Sequence, residues 1–327
     1  MSAVVGVDLG GTKTAAAVVD PEGRVGPVRT VPTPAHAGPE AILDAVAELV
    51  RTVAVDAPAA VRAVGVGTAG VVDVTTGTIV SATDAITGWT GTAVAAGLRR
   101  RLTATLGEVP VFVENDVDAH AAGEAWLGAG AGRDIVLMVA VGTGVGGAVV
   151  LDGRPLRGAH HVAGEIGHVP TPGAEGLRCT CGRTGHLEAL GAGPALHRHY
   201  LALGGDPASP DTRDVVARAG GGDELAARAV RESAAAVGRA AAAVVTVLDP
   251  AVVVVGGGMA GAGPMWWTAM EESLRAELIA PLADLPVVPA ALGGSAAVVG
   301  AARGAWQLLA VTEQQPVPAA GRGRGRE

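Results

Sequence analysis

Residues 134–153 read "DIVLMVAVGTGVGGAVVLDG", and residues 3–20 read "AVVGVDLGGTKTAAAVVD". Each stretch has a short β-branched apolar run, a turn rich in Gly and Thr, and a second apolar run. That is the pattern of two strands joined at a glycine-rich turn. One such stretch is also what any tight hairpin needs. Two of them, in successive parts of one chain, predict two related halves. Neither turn has the spacing of a G-x-x-x-x-G-K-[ST] loop, and neither opens directly into a helix as a dinucleotide fingerprint does.

The flanking segments alternate strand and helix. Residues 24–31 add a possible third strand. Residues 39–54 carry apolar positions at helical spacing behind a first-turn proline. A buried strand is predicted within 63–73, a helix over 92–106, a strand ending near 113–114 and a helix over 116–129. A long helix over 223–248 precedes a strand at 251–255, and a last helix closes the pattern near 295–310. A boundary at residue 112/113 divides the chain into an N-terminal α/β domain, 1–112, completed by that last helix, and a C-terminal α/β domain, 113–294. The Gly/Pro-rich end, 312–327, reads as a solvated, disordered tail.

A chain of 327 residues suggests about two domains. Its 49% hydrophobic content supplies a large core, but aromatics are only 2%, so Ala, Val and Leu must build it. A GC-rich coding sequence is a bland source of the same bias. The net charge of −8, without a basic stripe, argues against a nucleic-acid partner. An apolar strand pattern begins at Ala3 without a basic leader, and the most apolar stretch is cut by Asp249, Pro250 and three glycines. These features predict a cytoplasmic chain with neither signal peptide nor membrane span.

Three clusters carry chemistry. A glycine-rich turn after a buried strand lets backbone N–H groups approach phosphate closely. Asp8, Thr12, Lys13 and Thr14 add an acid, hydroxyls and the chain's single ammonium to the first turn. "ENDVDAH" at 114–120 puts three carboxylates at a strand-to-helix junction. There they serve the helix dipole or supply a general base facing a cleft. "CTCGRTGH" at 179–186 holds the only two cysteines, too close together for an ordinary structural disulfide.

Together these stretches resemble the ROK family of sugar kinases, of the bacterial glucokinase type. The resemblance rests on "DLGGTKT" (8–14), "GVGTAGVVD" (65–73), "GW" (88–89), "VENDVDA" (113–119), "GTGVGG" (142–147), "AGEIGH" (163–168), "CTCGRTGHLE" (179–188) and "VVGGG" (254–258), all in the family's order. It implies an actin-like, ribonuclease-H-like α/β fold of two domains closing on a cleft. It implies an ATP-dependent hexose 6-kinase acting on glucose or a close relative. Asp116 matches the base that takes the proton from the 6-hydroxyl. Asn115, Glu165, His168 and Glu188 match residues that hold sugar hydroxyls, and Gly70 and Asp118 are counted with them. Asp8, Gly10, Gly11, Thr12, Lys13, Thr143 and Gly144 match the phosphate grips, with Asp8 also holding Mg²⁺, and Gly256 and Gly257 match the adenosine side.

The resemblance also implies a structural zinc, held in the family by one histidine and three cysteines. Here His168, Cys179 and Cys181 stand in place and His186 replaces the third cysteine. A Cys₂His₂ set is chemically sound for zinc, though loss of the metal is an alternative. Further departures are Ala69 for Pro, Asp118 for Asn, His161 for Gly, and Ala85, beside Asp84, where an Asn is usual. A second expectation is an amino-sugar kinase, for kanosamine, glucosamine or N-acetylmannosamine; Asp84 and Asp118 are carboxylates that would complement the ammonium of a free amino sugar such as kanosamine. A non-catalytic sugar sensor is the alternative from another class. A homo-oligomer, dimer or tetramer, is expected.

Overall fold

The computed structural model describes residues 2–314 except residue 84. Its elements in chain order are β1 (Ser2–Leu9), β2 (Lys13–Val19), β3 (Arg29–Pro32), α1 (Pro39–Val55), β4 (Ala60–Thr68), β5 (Val71–Asp73), β6 (Thr78–Ser81), α2 (Val94–Leu106), β7 (Val111–Asn115), α3 (Asp116–Leu127), β8 (Ile135–Val141), β9 (Val145–Leu151) and β10 (Arg154–Pro155). There follow α4 (Glu188–Gly191), α5 (Gly193–Ala202), α6 (Thr212–Gly220), α7 (Glu224–Leu248), β11 (Val252–Gly256), α8 (Pro264–Glu277), β12 (Val287–Pro289) and α9 (Ala296–Gln314).

The echo between the two opening stretches is an architectural repeat. One sheet has the order β3-β2-β1-β4-β7 and the other β10-β9-β8-β11-β12. In each, three strands form an antiparallel meander and two further strands join in parallel. The Gly/Thr turns therefore occupy equivalent corners of two like sheets. The fold is the α/β arrangement of the actin-like sugar kinases. The boundary expected at 112/113 falls inside β7. Its pairing with β4 runs from Val64↔Val111 to Thr68↔Asn115, so main-chain hydrogen bonds keep the whole strand in the first sheet.

Each half has its own core. In the first, Ile42, Val46 and Val50 of α1 and Leu98 and Leu102 of α2 pack over Val5, Val7, Val64 and Val66. In the second, α7, α8 and the small helices cover Leu137, Val139, Val253 and Val255. The few aromatic residues include Trp89, Trp266 and Tyr200, the largest fully buried side chains.

Between the sheets lie α3 and α9, which touch each other, and α9 also lies on β1 and β4. Glycine makes this close approach possible. A Cβ on Gly300 would stand 1.6 Å from the carbonyl oxygen of Ala119, and one on Gly65 would stand 1.8 Å from that of Ala301. The Ala- and Gly-rich composition is therefore used structurally. Glu124 of α3, fully buried, accepts N–H bonds from Ala129, Ala291 and Leu292 at 2.8–3.0 Å, tying the loop before α9 to α3.

Of the expected tail at 312–327, residues 312–314 complete α9 and the rest lie outside the described residues. No described helix is long and apolar enough to cross a membrane.

Candidate active site

Strand β7 delivers the acidic cluster to the corner where the two halves meet. Asn115 caps α3: its Oδ1 accepts from the N–H groups of Val117 at 2.8 Å and Asp118 at 3.2 Å. Its Nδ2 donates to the carbonyl of Gly70 at 3.0 Å. Gly70 has φ of 104°, and a Cβ there would meet the Ser81 carbonyl oxygen at 2.8 Å, so glycine suits both the backbone and the space. The cap points Asp116, the first helical residue, into a cleft of about 830 Å³. Gly67 gives α3 room: a Cβ there would lie 2.8 Å from Ala119 Cβ.

The cleft collects much of the expected site. Asp8, Gly70, Asn115, Asp116, Thr143, Gly144, Glu165, His168, Glu188 and Gly257 all line it. Gly10, Gly11, Thr12 and Lys13 follow Asp8 in the first turn without lining the cleft, and Thr12 and Lys13 are exposed. Thr33 braces that turn by donating to the Gly10 carbonyl at 2.8 Å. Gly256 is buried at the end of β11, just behind Gly257.

Electrostatics distinguish the acids. Burial pushes the Asp116 carboxyl up, against the lowering effect of the Val117 N–H. Burial, together with the Asp116 carboxylate, pushes Asp8 up to about 6 despite Lys13. Two repelling carboxylates in one cleft are a donor set that suits a divalent cation. Glu165 is also raised, by burial first. Glu188 joins the second turn to the cysteine loop: its Oε2 accepts from the Val145 N–H at 3.1 Å, and its Oε1 accepts from the Thr180 hydroxyl.

The cysteine loop folds back at Gly182, with the Cys179 N–H donating to the Arg183 carbonyl at 2.8 Å. The donor atoms of His168, Cys179, Cys181 and His186 lie within 4.8 Å of one another. Cys179 Sγ is 3.6 Å from His168 Nδ1, and Cys181 Sγ is 3.3 Å from His186 Nδ1. These four donors fit a structural zinc, with His186 filling the fourth position. His168 Nε2, on the other side of its ring, stands 3.7 Å from Glu165 Oε2. A metal on Nδ1 would thus orient a ring that also lines the cleft.

Two of the departures from the family pattern take partners of their own. Asp118 does not line the cleft; its Oδ2 is held by Arg157 Nη1 at 2.5 Å, and Arg157 Nη2 binds Glu114 at the same distance. The buried guanidinium claims the carboxylate expected to face an ammonium. His161, with φ of 60°, instead stands 3.7 Å from Asp73 in the β5–β6 hairpin. Asp84 lies outside the described residues. The sequence reading missed Arg157, since nothing marks that arginine as a buried partner. It also missed His120 and Glu124, which follow Asp116 at four-residue spacing on one face of α3.

The ROK family model matches residues 4–307. A glucokinase of Streptomyces coelicolor is 37% identical over 222 residues, covering 68% of this chain and 66% of that protein, so the chain spans just under two thirds of it. An N-acetylmannosamine kinase of Escherichia coli O157:H7 is 34% identical over 227 residues, covering 68% of this chain and 72% of that one. The ROK hexokinase of Thermus thermophilus superimposes with a TM-score of 0.82 at 38% identity, over 94% of this chain and 99% of that chain. A ROK glucokinase of Streptomyces griseus, solved with glucose and AMPPNP, gives 0.77 at 34% identity, over 93% and 99%. With the family model matched along nearly its whole described length, this chain belongs to the ROK family.

Proposed function

We propose that the chain transfers the terminal phosphoryl group of ATP to the 6-hydroxyl of glucose or a close glucose relative. The observation carrying this reading is the placement of Asp116, capped by Asn115, in one cleft with Asp8, the second Gly/Thr turn and the hydroxyl-binding candidates Glu165, His168 and Glu188. Phosphoryl transfer asks for positioning, charge neutralisation and a base at the acceptor oxygen.

The chain's own residues divide that work. Asp116 accepts the proton from O6 as the O6–P bond forms and the bond to the ADP oxygen breaks. Asn115, Glu165, His168 and Glu188 orient the sugar hydroxyls. The turns at 10–13 and 142–145 hold the phosphates through backbone N–H groups, and Gly257 lies towards the adenosine. Asp8 would hold Mg²⁺, which supplies charge neutralisation at the phosphates when bound. Closure of the halves excludes water, the competing acceptor. ATP as donor and unpaired thiols at Cys179 and Cys181 suit a cytoplasmic setting. A dimer or tetramer is part of the same reading, and light scattering would measure it.

A second reading, an amino-sugar kinase, is favoured by the 34% identity to an N-acetylmannosamine kinase. Its electrostatic support is weaker with Asp118 engaged by Arg157. A sensor without catalysis would not need Asp116 alongside both phosphate turns. The test is ADP release from ATP with glucose, glucosamine, kanosamine and N-acetylmannosamine, with the product's phosphate position read by NMR. Glucose, or a 2- or 3-amino relative such as glucosamine or kanosamine, should give the highest kcat/KM. Absence of ADP release with every sugar would overturn the kinase reading. Activity on N-acetylmannosamine alone would replace glucose by the second reading.

A further inference from the structure

One titratable group in the cleft has no task in the reaction just described. His120 lies one helical turn, about 5.4 Å, along α3 from Asp116 on the same face. Its ring lines the cleft together with Ala140, Gly142 and Gly257. These residues stand at the carboxyl ends of β8 and β11, neighbouring parallel strands. In α/β sheets the crevice beyond such strand ends is where phosphate-bearing ligands bind. Gly256 leaves room beside the ring: a Cβ there would be 3.4 Å from His120 Cε1.

His120 Nε2 is sealed from solvent and has no hydrogen-bond partner among the described residues. Glu124, the next polar group on that face, is no partner, because its oxygens accept from Ala129, Ala291 and Leu292. An orphaned buried N–H is rarer and costlier than an under-used acceptor. The proton therefore belongs on Nδ1, and Nε2 keeps its bare lone pair. Burial also holds the imidazolium form back, so the ring offers one neutral donor.

We propose that His120 is a nucleotide-binding residue whose Nδ1–H donates to a phosphate oxygen of the bound nucleoside triphosphate, behind the phosphoryl group that is transferred. The inference rests on the kinase reading above. It assigns a side-chain contact from α3, beside those of the two Gly/Thr turns.

The test measures binding of a non-hydrolysable ATP analogue by calorimetry in wild type, His120→Ala, His120→Asn and His120→Gln. A hydrogen bond to a charged oxygen is worth about tenfold or more in affinity. His120→Ala should weaken the analogue by about that factor. His120→Asn, whose amide nitrogen falls near the Nδ1 position, should restore most of the loss, whereas His120→Gln, which reaches towards Nε2, should not. Sugar affinity measured without nucleotide should stay constant in all four. In wild type, ¹⁵N NMR of the ring should show the Nδ1–H tautomer, with the Nδ1 resonance shifting on analogue binding. Wild-type affinity in His120→Ala, or an Nε2–H ring, would overturn the assignment while leaving the kinase reading intact. No analogue binding by wild type would overturn both.

Discussion

At the scale of single residues, the site is shaped by carboxylates that would be easier to bury protonated. Asp116→Asn should lower turnover by about 10²-fold or more, the usual contribution of a general base, with little change in sugar affinity. In wild type, kcat/KM should fall as pH drops through the Asp116 pKa. That limb should lie above the ordinary value of 3.8, because burial raises the folded-state pKa. Asp8 carries a stability consequence of the same sign. Its folded pKa of about 6 exceeds the ordinary value of 3.8, so the folded chain without metal binds this proton more tightly than the unfolded chain. The contribution of Asp8 is therefore fully present below pH 3.8 and is lost as pH rises through about 6. Asp8→Asn should raise Tm at pH 7.5 in EDTA, by about 1–2 °C per kcal/mol relieved, and the difference should vanish near pH 4. The same variant should lose kinase activity. Differential scanning fluorimetry across pH, beside the ADP assay, checks both halves of this expectation.

At the scale of elements, two features are open to test. The cysteine loop should hold about one zinc per chain after purification without added metal, by the four-ligand rule for structural sites. Cys179→Ser should abolish it and reduce activity, since His168 would lose its partner on the Nδ1 side; elemental analysis and the ADP assay measure the two effects. Full activity from a chain without zinc would count against the site. The crossing of α3 and α9 is the second feature. Gly300→Ala gains about 1 kcal/mol of helix propensity. It must also force apart a contact in which the new Cβ would lie 1.6 Å from the Ala119 carbonyl oxygen. Overpacking of this kind costs about 1–3 kcal/mol or more, so the net change should be destabilising in urea unfolding. A neutral or stabilising result would show that the helices can separate freely.

Across the whole molecule, Arg157 couples the halves. It follows β10 of the second sheet, yet it binds Glu114 on β7 of the first and Asp118 at the start of α3. One guanidinium serves the buried Glu114 and the partly buried Asp118, and burial leaves Glu114 raised to about 7 and Asp118 to about 6. Arg157→Ala leaves both acids without a cation and should destabilise the fold by about 3–5 kcal/mol at pH 8. The loss should shrink at pH 5.5, where both acids take up protons. Asp118→Asn removes one of two competing charges. It should leave stability nearly unchanged or improved, and should leave the ranking of amino sugars against glucose unaltered. A changed ranking would mean that Asp118 reaches the substrate after all.

How much was legible in the sequence follows from the range of each interaction. The doubled strand–turn–strand pattern, the apolar periodicity of α1 and α7, the cap-and-acid pair Asn115–Asp116 and the Cys/His loop are local. Residues a few positions apart create them, and the sequence by itself determined them. Arg157 against Glu114 and Asp118, His161 against Asp73, and Glu124 against the loop before α9 join residues distant along the chain. No spacing rule relates them, and only the folded arrangement decided those pairings. The same division separates reaction from specificity. Asp116, proposed as the base, and the turns proposed to hold phosphate lie in short motifs whose chemistry can be read directly. The fate of Asp118 depended on an arginine brought to it from the other half, because a buried carboxylate takes the nearest cation that folding supplies.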